Sequence, residues 1–279
     1  MRKRACVFID GENLRHSLIS AFAPDGVFRA SDYLPSKARW ADFYDWIVWL
    51  ATSGTHDRLR AYWFVIQEID CSPYGLGHLS KPDKEKELKY ILFRHRPFRE
   101  RLRNLSGGQL VKEMAGLLDQ LKDRQGRVEA QFKNWVTIQN GIAIKHRALE
   151  FRRAGAIAFN LFEQRFGQEK AVDVRLACDM IMLRDIYDTA IIVSGDQDYV
   201  PAVQVLKDAG KTVISVAFER RDGELLPGGA RRLDIATDAL IRVPYSKLRG
   251  FMGLDPLGTA QEAHPPAPLV HGVDSSMAI

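Results

Sequence analysis

Three aspartates of this 279-residue chain stand where chemistry is expected, directly after short apolar runs. Asp10 follows the run Cys-Val-Phe-Ile, and Asp196 and Asp198 follow Ile-Ile-Val-Ser-Gly. Such runs are typical of buried strands in a parallel sheet. Because ligands bind beyond the carboxyl ends of the strands in an open parallel sheet, we expect the three carboxylates to converge on one crevice.

Carboxylates that lie close together are typical of a site for a hard cation. They repel one another, and a cation between them offsets this repulsion. Oxygen ligands without nearby histidine or cysteine favour Mg²⁺ or Mn²⁺ over Zn²⁺. A turn with a capping aspartate is the competing interpretation of Asp196 and Asp198.

The helix predicted over residues 171–184 offers a further candidate. Asp173 lies in its first turn, where a carboxylate also interacts favourably with the helix dipole, so capping alone would explain this residue equally well. Asp179 follows six residues later, about 120° around the helix, and is not expected to bind the same ion symmetrically. A polar helix face or pairing with an arginine accounts for Asp179 equally well.

The elements that must position these residues alternate between strand and helix. Such alternation indicates βαβ units, a mostly parallel sheet and the α/β class. The apolar patterns predict strands at 4–9, 59–66, 147–159, 189–194, 211–218 and 241–243. Helical spacing predicts helices at 40–51, 83–105, 109–125, 171–184, 198–209 and 229–240, with a break at Pro97.

The net charge of +5 arises from one segment of the chain. Residues 81–153 carry 18 basic and nine acidic side chains, and such a patch attracts polyanions, with nucleic acid as the first candidate. A solvated helical face with surplus lysines is the alternative. The same segment has an apolar stripe that could dock a protein partner or face the core, formed by Leu110, Met114, Leu117 and Leu121.

Composition excludes several classes of protein. The three cysteines form neither a disulfide framework nor a zinc pattern, which favours free thiols in the cytoplasm. No apolar stretch is long enough for a membrane helix, and the run behind the basic N-terminus is too short for a signal peptide. Residues 251–279 contain four prolines and no lysine or arginine, so we expect a disordered C-terminal tail.

Three motifs, in this order along the chain, resemble those of the NYN domains (LabA-like), relatives of the PIN nucleases. Residues 8–13, FIDGEN, resemble the opening FIDGxN motif of that family. Residues 170–174, KAVDV, are similar to its K-G-V-D-V segment, which leads to a second aspartate, here Asp179. Residues 192–199, IVSGDQDY, resemble its SGDxDF motif, and residues 210–213, GKTV, resemble the Gly-Lys-x-Val that follows.

The resemblance covers about residues 1–66 and 150–243. It implies a PIN-like, three-layer α/β fold with a mostly parallel central sheet over residues 1–250, and metal-dependent hydrolysis of RNA phosphodiester bonds. Residues 71–149 have no counterpart in the motifs, and we expect them to form a basic, mainly helical insertion.

The resemblance also implies the site. Its metal ligands, for Mg²⁺ or Mn²⁺, would be Asp10, Asp173 and Asp196. Asp198 would complete the metal shell or orient the attacking water. Asn13 would hold Asp10 or a substrate oxygen through its amide.

Two further residues are secondary candidates, and two depart from the family pattern. The secondary candidates are Ser194 and Asp179. Ser194 could contact a phosphate or a carboxylate, although turn chemistry also explains a serine at a strand end. Ala171 stands where glycine is common, and Tyr199 stands where phenylalanine is common.

Two functions of different classes fit this sequence. The first is a metal-dependent ribonuclease, an endonuclease acting on single-stranded or structured RNA. The second is a catalytically weak RNA-binding or regulatory NYN protein that acts through a protein partner or as a homo-oligomer. In both, the arginines expected to contact RNA are Arg94, Arg96, Arg99, Arg101 and Arg103.

A phosphatase with an aspartate nucleophile is a third and weaker possibility. Such an enzyme carries its Asp-x-Asp at the first strand. Here the first strand ends in Asp10-Gly11-Glu12, and the Asp-x-Asp lies at residues 196–198. The order of the motifs therefore argues against this class.

Overall fold

The computed structural model describes residues 3–23, 38–71, 76–226 and 231–254. Contacts between residues divide the chain into two units. The first, named here the sheet unit, comprises Met1–Val65, Ile138–Ala154 and Ala171–Ile279. The second, named here the helical unit, comprises Ile66–Thr137 and Gly155–Lys170.

Strands and helices alternate along the chain. In chain order the strands are β1 (Lys3–Asp10), β2 (His56–Asp70), β3 (Leu149–Asn160), β4 (Arg165–Lys170), β5 (Thr189–Val193), β6 (Thr212–Glu219), β7 (Leu225–Leu226) and β8 (Ala239–Val243). The helices are α1 (Gly11–Phe22), α2 (Trp40–Thr52), α3 (Leu76–Leu79), α4 (Glu85–Arg94), α5 (Arg96–Leu102), α6 (Gly107–Lys145), α7 (Val172–Met182), α8 (Val200–Asp208), α9 (Arg231–Ala236) and α10 (Tyr245–Met252). None of the helices in the described ranges combines the length and the apolar character needed to cross a bilayer.

The sheet unit is built on a mostly parallel sheet, which confirms the predicted fold class. β1 pairs in parallel with β2 on one side and with β5 on the other. β5 continues in parallel to β6, and β6 to β8, whereas β7 is antiparallel to the end of β6. Within this unit the strand order is therefore β3-β2-β1-β5-β6-β7, with β8 beside β6.

Both faces of this sheet are covered, as expected of a three-layer fold. Every residue of β5 is buried, as are residues 5–10 of β1 and 213–218 of β6. Because successive side chains of a strand point to opposite faces, uninterrupted burial requires packing on both sides. The apolar runs in the sequence therefore reflect a doubly covered sheet.

An aromatic layer packs α2 and α10 into the sheet unit, and it corrects the predicted start of the C-terminal tail. The ring of Trp40 on α2 lies 4.8 Å from that of Trp63 on β2. Phe251 on α10 lies 5.4 Å from Phe43 and 5.5 Å from Trp46 on α2. The predicted disorder therefore does not begin at residue 251, because α10 runs to Met252 and Phe251 packs against α2. The remaining predicted tail, 255–279, lies outside the described residues.

The helical unit has a core of its own. Its main contributors are α4, α5 and α6, whose buried side chains include Leu92, Leu102 and Leu117. The break predicted at Pro97 is observed, since α4 ends at Arg94 and α5 begins with Pro97 in its first turn. A proline is tolerated in the first turn because its missing N–H would have no partner inside the helix.

The apolar stripe of α6 belongs to this core. Met114, Leu117 and Leu121 are at most 1% exposed, and Leu110 packs against them. Of the two interpretations of this stripe, burial in the core is confirmed and docking of a protein partner is not, because its side chains are already covered within the helical unit. The helix is also longer than the predicted 109–125. It runs from Gly107 to Lys145.

Candidate active site

Strands β1 and β5 carry the first site residues to one edge of the sheet. Ile9 of β1 is paired with Val193 of β5, so the two strands end at the same level. Asp10 and Ser194 follow this pair and become neighbours although 184 positions separate them. The hydroxyl of Ser194 donates a hydrogen bond of 2.9 Å to Asp10 Oδ2. The register of one parallel strand pair thus assembles the base of the crevice.

Asp10 is the most deeply buried carboxylate of the site. It is 4% exposed and caps α1, because its Oδ1 accepts a hydrogen bond of 3.0 Å from the backbone N–H of Asn13. Burial raises the pKa of the Asp10 carboxyl to about 6, and the charge of Asp173 acts in the same direction. The charged form is therefore held at a disadvantage that a nearby cation would remove.

Asn13 connects the start of α1 to the loop that follows β5. Its side-chain Oδ1 accepts a hydrogen bond of 3.2 Å from the backbone N–H of Gly195. The sequence suggested that the side-chain amide would hold Asp10 or a substrate oxygen. In the structure the backbone N–H of Asn13 contacts Asp10, and the side-chain oxygen contacts the loop. Contact of the side-chain NH2 group with a substrate oxygen stays a prediction.

The chain after β5 presents two further carboxylates on a tight turn. The backbone N–H of Asp196 donates to Ser194 Oγ at 3.1 Å. The Oδ1 of Asp196 then accepts a hydrogen bond of 2.9 Å from the backbone N–H of Asp198. Asp196 therefore caps the short turn Gln197–Tyr199, as the competing interpretation proposed, while Asp198 is exposed at its rim.

Tyr199 links carboxylates from two different elements. Its hydroxyl lies 2.8 Å from Asp173 Oδ1 and 3.3 Å from Asp10 Oδ2. Burial and the adjacent carboxylates raise the pKa of Tyr199 far above its ordinary value, so the hydroxyl keeps its proton and donates. The pKa of Asp173 is raised by burial and by the charges of Asp196 and Asp198, and lowered by the Tyr199 hydrogen bond. The four aspartates, named here the acidic cluster, thus act on one another.

The structure explains what each of the two residues that depart from the family motifs, Tyr199 and Ala171, does at its position. Tyr199 differs from phenylalanine by the hydroxyl, and this is the atom that contacts the acidic cluster. Sequence reasoning missed this role, although the tyrosine at that position was the available signal. Ala171 stands before α7 with φ of +77°, in the left-handed region that glycine adopts without strain, which explains why glycine is common there.

Asp179 is paired with two arginines. It is 3% exposed, its Oδ1 accepts from Arg175 Nε at 3.0 Å, and its Oδ2 accepts from Arg152 Nη1. Arg152 also lies over the ring of Tyr62, 4.1 Å from its centre. Of the alternatives for Asp179, pairing with arginine is observed, and a role of this residue in the site stays a prediction.

The acidic cluster fits a hard divalent cation by its chemistry. All its side chains are carboxylates, and burial, the leading cause of the raised pKa values of Asp10 and Asp173, disfavours their charged forms. Across the described ranges, however, no three acidic, histidine or cysteine side chains are already arranged to bind one metal ion. Metal binding by Asp10, Asp173 and Asp196 therefore stays a prediction.

The arginines predicted to contact RNA all lie in the helical unit and are exposed. Two of them pair with acidic side chains: Arg96 with Glu100 at 2.9 Å, and Arg101 with Glu113. Arg94 lies over the ring of Tyr90, 5.6 Å from its centre. The full set is Arg94, Arg96, Arg99, Arg101 and Arg103.

A mostly parallel sheet with carboxylates at the carboxyl ends of its central strands is consistent with the PIN-like class of α/β folds. The family model described as NYN domain matches residues 79–226, more than half of the chain, and the protein therefore belongs to the NYN domain family. This range includes residues 79–149, for which the motifs offered no counterpart, and begins after Asp10 and its motif. NYN membership makes the protein a member of a nuclease family whose substrates are in general RNA and whose members generally use divalent metals.

No curated protein sequence matches the chain significantly. The crystal structure of a protein of unknown function from Vibrio parahaemolyticus is similar with 12% identity and a TM-score of 0.36, over 87% of this chain and 93% of that chain.

Proposed function

We propose that the protein is a metal-dependent ribonuclease that hydrolyses internal phosphodiester bonds of RNA at the acidic cluster. The observation that carries this proposal is the shared hydroxyl of Tyr199, which brings Asp10 and Asp173 from separate elements to within one hydrogen bond of the same atom. Asp196 and Asp198 stand beside them on the turn after β5. A binding protein has no need to gather four carboxylates, one of them buried, against their mutual repulsion.

The residues of the cluster have distinct roles in this proposal. Asp10, Asp173 and Asp196 would hold Mg²⁺ or Mn²⁺, which supplies a bound water of lowered pKa and neutralises charge on the phosphoryl oxygens. Asp198, exposed at the rim, would orient the attacking water. Ser194 positions Asp10 through its hydrogen bond to Oδ2.

Cleavage of RNA in the presence and absence of chelator tests the proposed function. We expect the purified protein to cleave a labelled single-stranded RNA with Mn²⁺ or Mg²⁺ and to lose this activity in EDTA. Internal fragments would identify an endonuclease. The Asp10→Asn variant, purified in the same way, controls for contaminating nucleases. Equal cleavage by this variant, or cleavage that survives EDTA, would contradict the proposal.

A catalytically weak RNA-binding protein is the second candidate, and one observation favours it. The Tyr199 hydroxyl lies between Asp10 and Asp173 and satisfies part of their hydrogen-bonding capacity without a cation. In such a protein the cluster would be held together by that hydroxyl. RNA binding without metal-dependent cleavage is the result that would support this alternative.

We further propose that three arginines of the helical unit bind the RNA backbone. Arg96, Arg99 and Arg103 follow one another at helical intervals of three and four residues, and therefore lie on one face. The opposite face of α5 carries Phe98 and Leu102, which are buried in the core of the helical unit. The three arginines thus point into solvent, where a phosphate backbone can reach them.

Replacing these three arginines with glutamine tests their contribution. We expect the triple variant of Arg96, Arg99 and Arg103 to bind RNA more weakly, and its salt slope, log K against log salt, to be smaller by about 2, since each phosphate contact on a single strand contributes about 0.7. The measurement is fluorescence anisotropy of a labelled RNA in EDTA across a salt series. Arg101→Gln is the matched control, because Glu113 and Gln120 on α6 hold the guanidinium of Arg101. Arg96 also pairs with Glu100 on its own helix, but 82% of its side chain stays exposed. An unchanged slope in the triple variant would contradict this assignment.

A further inference from the structure

A cavity of about 510 Å³ lies directly beside the acidic cluster, within the sheet unit. One wall is the turn after β5 and the first residues of α8, and the other is α9. The side chains that matter are Asp198 and Pro201 on the first wall and Arg232 and Ile235 on the second. Asp198 belongs both to the cavity and to the acidic cluster, so a ligand in this cavity lies next to the Asp198 carboxylate. The volume is within the range of about 300–1,000 Å³ usual for ligand pockets.

The wall formed by α9 combines one positive charge with one apolar surface. Arg232, Ile235 and Ala236 are three and four residues apart and share one helix face, whereas Leu233 is fully buried on the other side. Ile235 is 82% exposed. Arg232 is also exposed and lines the cavity. Both groups are therefore available to a ligand.

The same wall is fixed in place by contacts on its far side. Lys207 Nζ donates a hydrogen bond of 2.9 Å to the carbonyl oxygen of Ala236. Ser215 Oγ on β6 donates to Asp234 Oδ1 at 3.2 Å. Because the helix is tied to α8 and to the sheet, the cavity is formed before a ligand binds.

We propose that this cavity binds one nucleotide of an RNA strand beside the acidic cluster, with its base against Ile235 and Pro201 and its phosphate paired with Arg232. The proposal rests on the proposed function, which supplies RNA as the substrate. The acidic cluster repels a phosphate backbone, and Arg232 is the cation that offsets this repulsion at the adjacent position. A base offers the flat apolar face that the exposed isoleucine can cover. An apolar small molecule would leave the arginine unused.

Two variants separate the two contacts. Arg232→Gln removes the charge, and Ile235→Ala removes the apolar surface, without touching the acidic cluster. We expect each to weaken binding of a labelled single-stranded RNA in EDTA by about tenfold, which corresponds to about 1.4 kcal/mol. Arg232→Gln should also reduce the salt slope by about 0.7. An RNA of the same length built from abasic nucleotides tests the base contact. We expect this RNA to bind the Ile235→Ala variant and the wild type with equal affinity, because it has no base that could contact Ile235.

Matched controls exist in the same unit. Arg242 is an exposed arginine on β8, and Ile144 is 82% exposed, the same fraction as Ile235. Neither lines the cavity, so Arg242→Gln and Ile144→Ala should leave RNA affinity unchanged. Equal losses in the controls, or unchanged affinity in both cavity variants, would overturn the proposal.

Steady-state kinetics of RNA cleavage test the cavity proposal separately from the proposed nuclease function. With Mn²⁺, both cavity variants should raise KM and leave kcat within about twofold, since neither side chain contacts the reacting atoms. If the wild type cleaves RNA and both variants have wild-type KM, the cavity assignment alone fails. If the wild type binds RNA through Arg232 and Ile235 and does not cleave it, the nuclease proposal alone fails.

Discussion

We expect Asp10→Asn to abolish RNA cleavage and at the same time to stabilise the protein at neutral pH in the absence of metal. Asparagine keeps the shape of the side chain, and its oxygen can still accept the hydrogen bond from the backbone N–H of Asn13. Its NH2 group replaces Oδ2 and can donate to the hydroxyl oxygens of Ser194 and Tyr199, as a protonated carboxyl would. It removes the negative charge that the proposed cation requires, and the loss of one such electrostatic contact lowers a rate by about 10²–10³-fold or more. The measurement is the initial rate of cleavage of a labelled RNA with Mn²⁺.

The gain in stability follows from the pKa of Asp10. Burial raises this pKa from 3.8 to about 6, which corresponds to about 3 kcal/mol against the charged form. The folded protein therefore retains a proton that the unfolded chain releases between these two values. The free energy of unfolding of the wild type should fall as pH rises from about 4 to about 6, and stay lowered above that range.

Urea unfolding in EDTA from pH 4 to pH 8 measures this difference. The Asp10→Asn variant has no proton to lose at this position, so its free energy of unfolding should exceed that of the wild type by about 2–3 kcal/mol above pH 6. Near pH 4 the two proteins should differ little. A constant difference across the whole range would contradict the assigned pKa. Cleavage near the wild-type rate would contradict the role of Asp10.

The second large effect is expected from Gly11→Ala, the residue after Asp10. A Cβ atom at position 11 would lie 2.4 Å from the carbonyl oxygen of Phe64 and 2.9 Å from Val65 Cγ1. The carbonyl belongs to β2, which is paired with β1, so it cannot move away without disturbing the sheet. Overpacking of this kind costs about 1–3 kcal/mol, and more where backbone must shift. We expect a loss of about 3 kcal/mol in the free energy of unfolding.

Gly141→Ala is the matched control for this substitution. Gly141 is also helical and belongs to the sheet unit, but no atom lies within 4 Å of the Cβ it would acquire. Alanine loses less conformational entropy than glycine on folding, so this variant should gain about 0.5–1 kcal/mol. Comparable stability of Gly11→Ala and the wild type would show that the approach of α1 to β2 is looser than described.

Local patterns in the sequence predicted the strands and helices whose apolar residues recur regularly. They missed the elements whose sequences lack such a pattern. The apolar runs of β1, β5 and β6 are buried on both faces, so every position carries the signal. β4, with the sequence RFGQEK, is polar, and only pairing with β3 makes it a strand. Helix α6 was predicted to end near residue 125 but continues to Lys145, because packing of Val128 and Trp135 supports a stretch whose own pattern is weak.

The sequence by itself determined which strand ends carry carboxylates. A run of apolar residues followed by aspartate is a local feature, and parallel strands bring such features to one edge of the sheet. The tertiary structure decided what each carboxylate contacts. Asp179 is neutralised by Arg152, 27 positions away, and Asp10 and Tyr199, 189 positions apart, share a hydrogen bond. The cavity between α8 and α9 likewise depends on the packing of elements that are distant in the sequence. Such contacts depend on strand register and helix packing, which bring together residues that no local period relates.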